Sequence, residues 1–160
     1  MSLEENIKNE LEEKFPFLAS AIVIKRQRRI FVDIPQENFA EVFSYLIMKM
    51  QFSILVAITG LDEGNNMFGV MYHLCRETGQ MCIARIHIPR ENPLIKTVTS
   101  FFPSAEAYER EMVDLLGIHV EGLAPGHRYP LPDNWPVGEF PLRKEWKLEA
   151  RHDIKENPHV

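Results

Sequence analysis

The sequence has few of the residues with which a redox protein holds its own cofactor. Only two of its 160 residues are cysteines, Cys75 and Cys82. Two cysteines are too few for an iron–sulfur cluster, a disulfide scaffold or a tetrahedral metal site without help from histidine. No glycine-rich phosphate-binding motif is present either. These absences predict that the chain itself holds no cofactor and no metal.

Positive charge and long apolar runs are also scarce. With 18 Lys and Arg against 23 Asp and Glu, the formal net charge is −5, which argues against nucleic acid as a partner because nucleic acid requires a basic face. The longest apolar run, Phe52 to Ile58, has the length of a strand and not the roughly 18 residues of a membrane helix. The first residues, Ser2 to Asn6, lack the apolar core of a signal peptide. We therefore expect a soluble, cytoplasmic chain that meets a membrane only through another protein.

Hydrophobic residues make up 45% of the chain, which is enough for the core of one domain. Apolar residues recur with helical spacing over 2–14 and over 38–50. Runs of apolar and alternating residues predict strands at 21–25, 30–34, 53–59, 67–76 and 81–88, with a turn at Asp62 to Asn66 after the third. Tight turns join antiparallel neighbours, so we predict a two-layer α+β domain, with a mainly antiparallel sheet of about five strands and helices on one face.

The turn between the last two predicted strands bears on the cysteines. If Thr78 and Gly79 form a two-residue loop, the register pairs Cys75 directly with Cys82. A cross-strand disulfide is then possible, but a cytoplasmic location favours two reduced thiols that are neighbours in the core.

A third helix is predicted from Ser104, which can cap its start, to Gly117, which fits its C-terminal cap. At about 100° per residue, its apolar residues gather on one side: Tyr108, Met112, Val113, Leu115 and Leu116. Glu109 falls within that side, whereas the other charged residues lie opposite: Arg110, Glu111 and Asp114. Because an unpaired buried carboxylate is costly, we expect Glu109 to pair with a basic residue later in the chain. The candidates are His127, Arg128 and Arg143.

The segment after this helix is rich in proline and aromatic residues. It carries six of the eleven prolines of the chain: Pro125, Pro130, Pro132, Pro136, Pro141 and Pro158. Prolines predict an extended conformation, but a disordered segment would lack Trp135, Phe140, Leu142, Trp146 and Leu148. Aromatic and basic residues of this kind are typical of interfaces. We therefore divide the chain into an α+β domain at 1–118 and an extended partner-binding tail at 119–160.

These motifs resemble a known family. Pro103-Ser104-Ala105 leads into Glu109-Arg110-Glu111 and then into a run from Asp114 to Ile118, and the tail adds further motifs: Gly126-His127, Leu131 to Trp135, and Pro141 to Lys144. Together they resemble the thirty-kilodalton subunit family of NADH:quinone oxidoreductase (respiratory complex I, an NADH dehydrogenase). The same family includes counterpart subunits of membrane-bound nickel–iron hydrogenases.

The resemblance implies a non-catalytic structural subunit in the hydrophilic arm of a membrane-bound oxidoreductase that couples electron transfer to ion translocation. Such a subunit would brace the large catalytic subunit, lie beside iron–sulfur subunits and be peripheral on the cytoplasmic face of the membrane. Iron–sulfur, flavin or nickel–iron centres would belong to partner subunits, and no catalytic, cofactor-binding or metal residue is expected here. The residues expected to hold the tail or the partner are Glu109, Arg110, Glu111, Asp114, Gly117, His127, Arg128, Pro132, Trp135, Pro141, Leu142, Arg143 and Lys144.

Three alternatives stay open. The chain could be the equivalent subunit of an energy-converting nickel–iron hydrogenase or formate hydrogenlyase complex. It could be a free-standing adaptor that binds protein through its sheet face. It could also be an enzyme that uses Glu109, Glu111 and the strand histidines His73 and His87 as acid–base groups.

Overall fold

A computed structural model describes residues 2–147. Leu148 and Pro158, which the sequence assigned to the tail, lie outside the described residues. The helices are α1 (Leu3–Lys14), α2 (Phe39–Met48) and α3 (Ala105–Leu116). The strands are β1 (Ile22–Arg26), β2 (Arg29–Asp33), β3 (Ile54–Gly64), β4 (Met67–Cys75), β5 (Met81–Pro89), β6 (Leu94–Lys96) and β7 (His119–Glu121). None of the described helices is long and apolar enough to cross a membrane.

Five strands form the main sheet in the order β1-β2-β5-β4-β3. Every neighbouring pair is antiparallel except β2 and β5, which run parallel. The predicted α+β class and the mainly antiparallel sheet are therefore confirmed. Tight turns reveal only strands that are consecutive in the chain, so the sequence did not predict the parallel pair. It also did not predict the second, two-stranded parallel sheet of β6 and β7, whose strands are three residues each.

The third strand is longer than predicted. It continues to Gly64, so Asp62 and Glu63 belong to the strand and not to the expected turn. The turn consists of Asn65 and Asn66, with φ of 49° and 60°, and asparagine tolerates this left-handed region better than most residues. The extension places Asp62 on the side of the strand that faces the core, where it is only 4% exposed.

The β4–β5 turn differs from the prediction by one residue. Arg76 N–H donates to the Gln80 carbonyl, and Gly79 N–H donates to the Arg76 carbonyl, both at 2.9 Å. The loop is thus longer than two residues, and Gly79 adopts a φ of 87° within it. The register pairs Cys82 with Leu74 instead of Cys75. A shift of one residue moves a side chain to the opposite face of a sheet, so the predicted pairing of Cys75 with Cys82 is wrong; both are free thiols.

The core lies between the sheet and the helices. Its centre is an aromatic cluster in which the Tyr72 ring of β4 lies 4.8 Å from Phe39 and 5.1 Å from Phe43 of α2. Helix α3 packs over β3, where a side chain on Gly60 would collide with Met112 and Leu116. The close approach at Gly60 fixes α3 against one edge of the sheet.

Candidate functional site

The C-terminal tail after β7, residues 122–147 as described, is held to the domain at its start by Arg110 and farther along at three points. We call these three attachments the tail clamp. The first is Asp62 at the end of β3. Its carboxylate accepts the main-chain N–H of Lys144 at 2.9 Å and forms an ion pair with Arg90, which in turn pairs with Glu145. The clamp thereby ties the far end of the tail to the loop after β5.

The electrostatics of Asp62 explain why this attachment is strong. Burial alone would raise the pKa of its carboxyl, but hydrogen bonds from Arg90, Lys144 and Gly64 outweigh burial and lower the pKa from 3.8 to about 2. Arg90 also lies above the Phe68 ring, 4.9 Å from its centroid. The carboxylate is therefore charged and saturated with donors at neutral pH.

The second attachment lies at the C-terminal end of α3. Arg143 Nε donates to the Leu116 carbonyl at 2.7 Å, and its guanidinium stacks 4.3 Å from the Phe140 ring centroid. An added Cβ on Gly117, whose φ is 70°, would lie 2.5 Å from Phe140 and 2.7 Å from Arg143. Gly117 thus ends the helix as predicted, and its missing side chain leaves the space that these tail residues occupy.

The third attachment joins α3 to the middle of the tail. Asp114 accepts Arg128 Nε at 3.1 Å and the main-chain N–H of Leu131 at 3.3 Å, and Arg128 also donates to the Trp135 carbonyl at 2.9 Å. The helical spacing alone places Asp114 on the exposed side of α3. It is 6% exposed instead, because the tail folds back over that side.

The prediction that Glu109 anchors a basic tail residue is wrong. Glu109 is fully buried and accepts the Thr97 hydroxyl at 2.6 Å and the Val98 main-chain N–H at 2.8 Å. Burial raises the pKa of this carboxyl. Glu109 and Asp114 are roughly 140° apart around the helix. Glu109 consequently fastens the segment after β6, and the tail bases reach Asp114 and the Leu116 carbonyl.

The other predicted residues divide between anchors and free positions. Arg110 donates to Glu106 and to the Ala124 carbonyl at 2.7 Å, so it holds the start of the tail. Within residues 2–147, the side chains of Glu111 and His127 form no hydrogen bond or ion pair. Two contacts lie within the tail itself. The Pro132 carbonyl accepts Trp135 N–H at 2.9 Å, and the Trp135 and Trp146 rings stack with their centroids 6.1 Å apart.

The last predicted residues lie against helix α3. Pro141 is half-buried, and Leu142 N–H donates to the Leu115 carbonyl of α3 at 3.0 Å.

Sequence reasoning missed Asp62, Arg90 and Glu145. A signal for Asp62 was present: alternation from Ile58 through Gly60 puts position 62 on the core side, if the strand is continued past Thr59. An acid at such a position needs a buried donor. Nothing in the sequence indicated that the donors would be Arg90 and the main chain of Lys144.

The clamp leaves large apolar tail side chains in solvent. Tyr129 is 52% exposed, Leu142 is 53% exposed and Val137 is 99% exposed. The tail therefore has a fixed path along which large apolar side chains are exposed. Among residues 2–147, no three His, Cys, Asp or Glu side chains are placed to hold a metal ion.

An α+β fold of this kind is the one expected of the thirty-kilodalton subunit family. The family model for the respiratory-chain NADH dehydrogenase 30 Kd subunit matches residues 32–152. The chain belongs to this family.

Individual relatives extend the match. The chain is 26% identical to the membrane-bound hydrogenase subunit beta of Pyrococcus furiosus, over 99% of this chain and 95% of that protein. It is 32% identical to formate hydrogenlyase subunit 5 of Escherichia coli, over 84% of this chain but only 24% of that protein. Its fold matches a chain of the membrane-bound sulfane sulfur reductase, an archaeal respiratory membrane complex, with a TM-score of 0.82 at 24% identity, over 99% of this chain and 100% of that one.

Proposed function

We propose that the chain is a non-catalytic subunit in the hydrophilic arm of a complex I-type membrane-bound oxidoreductase, where its tail braces the large catalytic subunit. Membership of the family supports the class of complex. The observation that carries the bracing role is the tail clamp, which holds the tail to the domain while Tyr129, Val137 and Leu142 stay exposed.

The clamp is suited to a partner surface because it lowers the entropy cost of binding. A free tail of this length would have to be ordered when it binds, at a cost for each residue. A tail already held at Asp62, Asp114 and the Leu116 carbonyl presents its aromatic residues in place. Pre-organised aromatic and apolar anchors are typical of the centres of protein interfaces.

The length of one relative supports a large subunit as the partner. In formate hydrogenlyase subunit 5, the region that matches this chain is 24% of the protein, so the counterpart there is covalently joined to a much longer polypeptide. We infer that a separate subunit equivalent to that longer part receives the tail of this chain. Quinone-site, iron–sulfur or flavin chemistry would then belong to the partner subunits, and the chain would lie on the cytoplasmic face.

A second candidate is the equivalent subunit of an energy-converting hydrogenase. The end-to-end alignment with the hydrogenase subunit beta of Pyrococcus furiosus favours it. The two candidates share the same partner surface and differ only in the chemistry of the large subunit. Mass spectrometry of the purified complex separates them, since a subunit with paired nickel-ligating cysteines indicates hydrogenase and an NADH-binding module indicates complex I.

The test is affinity purification of the tagged full-length chain from its own host, with and without a change in the outer surface of the tail. Val137→Asp combined with Tyr129→Ser should abolish co-purification of the large subunit and leave the melting temperature of the isolated chain unchanged. Val23→Asp, at an exposed valine of β1, is the matched control and should keep the complex. Retention of the large subunit by the tail variant would refute the bracing role.

A further inference from the structure

Strand β3 is an edge strand with only one neighbour, β4, in the order of the main sheet. Alternate main-chain groups of an edge strand point away from the sheet. Within the described residues, a single hydrogen bond reaches the β3 main chain from outside the sheet, from the Tyr108 hydroxyl to the Val56 carbonyl at 3.1 Å. Within residues 2–147, no hydrogen bond from outside the sheet reaches the remaining outward groups between Ala57 and Leu61.

The two edges of the sheet differ in their protection. The other edge, β1, is five residues long and includes Lys25 and Arg26, features that discourage strand pairing. In contrast, β3 is 11 residues long and carries no charge from Ile54 to Leu61. Three of its apolar side chains, Ile54, Val56 and Leu61, are 43% to 48% exposed. An unprotected edge of this length is typical of a strand that is covered in an assembly.

A groove beside the β3 edge provides a pocket for an apolar side chain of a pairing strand. Its volume is about 170 Å³, and it is lined by apolar residues of β3, α3 and the tail: Ile58, Met112, Leu115, Leu116 and Leu142. Leu142 belongs to the outward surface of the tail, so the groove continues the surface that we assign to the large subunit. Glu111 also lines the groove and has no ion-pair partner within residues 2–147.

We propose that the edge of β3 from Ala57 to Leu61 pairs with an extended strand of the large subunit. This inference rests on the proposed function. The strand contributes main-chain hydrogen bonds, an apolar side chain for the groove and a lysine or arginine that meets Glu111. Addition of a strand to a sheet edge is a common mode of recognition, with affinity from the main chain and specificity from the side-chain pockets.

Charge favours this occupant over a second copy of the chain. Antiparallel pairing of two β3 strands about Thr59 would place both grooves at the same junction and bring their Glu111 carboxylates together. Each chain also has a net charge of −5, which opposes self-association. A basic strand from another subunit removes this repulsion.

The first test places a photoactivated benzoylphenylalanine at Leu61 in the tagged full-length chain and illuminates the purified complex. We expect a cross-link to one peptide of the large subunit that contains a lysine or arginine. The same probe at Val23 should not give this cross-link. A complex that contains the large subunit but gives no cross-link from Leu61, or a cross-link between two copies of this chain, overturns the inference and leaves the proposed function intact. Absence of the large subunit from the purified material counts against the proposed function itself.

The second test measures amide exchange and charge reversal. Exchange of the amides from Ala57 to Leu61 that point outward should be at least about tenfold slower in the complex than in the isolated chain, roughly the protection given by one stable hydrogen bond. Glu111→Lys should abolish this protection, while Glu121→Lys, an exposed acid of β7, should preserve it. Equal exchange in the complex and the isolated chain, or full protection in Glu111→Lys, contradicts the proposed pairing.

Discussion

The carboxylate of Asp62 accepts the main-chain N–H of Lys144 at 2.9 Å, although 82 residues separate them in the chain. Asp62 belongs to the long edge strand and Lys144 to the tail. The two surfaces that we assign to a partner, the outside of the tail and the edge of β3, are therefore joined directly by one buried carboxylate. Loss of that contact should affect both surfaces.

Replacement of Asp62 by Asn should release the end of the tail. The variant leaves the Arg90 guanidinium without its buried anion, which costs about 3 kcal/mol of unfolding free energy. Trypsin should then cleave after Arg143 and Lys144 faster than in the wild type. Asp133→Asn, at an exposed tail carboxylate, is the control and should change neither the stability nor the cleavage. Unaltered cleavage in Asp62→Asn would mean that the other two attachments suffice.

The stability of the chain should fall at low pH because of Asp62. The pKa of Asp62 is about 2 in the folded chain, below its ordinary 3.8, so its stabilisation is complete above about pH 4 and is lost as the pH falls towards 2. The contribution is about 2 kcal/mol. Urea unfolding at several pH values should show that the advantage of wild type over Asp62→Asn shrinks over this range. An advantage that stays constant down to about pH 2 would be inconsistent with a charged, donor-saturated Asp62.

Two glycines with similar backbone angles offer a matched pair for the second attachment. Gly117 and Gly138 have φ of 70° and 83°, but an added Cβ would collide with Phe140 and Arg143 only at Gly117 and would meet nothing within 4 Å at Gly138. Gly138→Ala should cost about 1 kcal/mol for the backbone alone, and Gly117→Ala about 3 kcal/mol. Equal losses of unfolding free energy in the two variants, measured by thermal unfolding, would show that Phe140 and Arg143 move aside at no energetic cost.

Replacement of Glu109 tests how it holds the segment after β6. Glu109→Ala leaves the Val98 N–H unsatisfied and should cost about 1–3 kcal/mol. Burial raises the pKa of Glu109 in the folded chain, so its ionisation weakens the fold as the pH rises through that pKa. Glu109→Gln cannot ionise, and its stability relative to wild type should therefore increase as the pH rises above the ordinary carboxyl range. A decrease would show that the ionised carboxylate is the stabilising form.

The cysteines should behave as two independent thiols. Burial raises the pKa of the Cys82 thiol to about 12, and a thiol that does not ionise is unreactive, whereas Cys75 is partly exposed. Iodoacetamide should alkylate one thiol in the folded chain and two in urea, without prior reduction. Absence of any reactive thiol in urea before reduction, with two appearing after reduction, would indicate a disulfide.

The sequence was informative where structure depends on local patterns. Spacing of apolar residues and turn residues predicted the five-stranded sheet and the helix that ends at Gly117, and the motifs of α3 and the tail identified the family. It was not informative about which acid meets which base. Glu109 and Asp114 are both acids on one short helix, and only the path of the segment after β6 decides that Glu109 binds Thr97 and leaves Arg128 to Asp114.

Loop length and long-range pairing are the other limits. The β4–β5 loop includes Glu77 in addition to Thr78 and Gly79 and so separates the two cysteines, a difference that residue types alone do not resolve. The parallel contact between β2 and β5 joins residues such as Ile30 and Cys82, and no turn connects them. Contacts of this kind depend on the whole chain and have no local signature.

The central position of β5 has a consequence for synthesis. Met81–Pro89 is the strand that joins the β1–β2 hairpin to the β3–β4 hairpin. While the ribosome is still making the first half of the chain, the two hairpins have no common neighbour and their apolar faces stay uncovered. The sheet therefore cannot fold until β5 has been synthesised. A nascent chain that pauses before Met81 should be the species that chaperones bind.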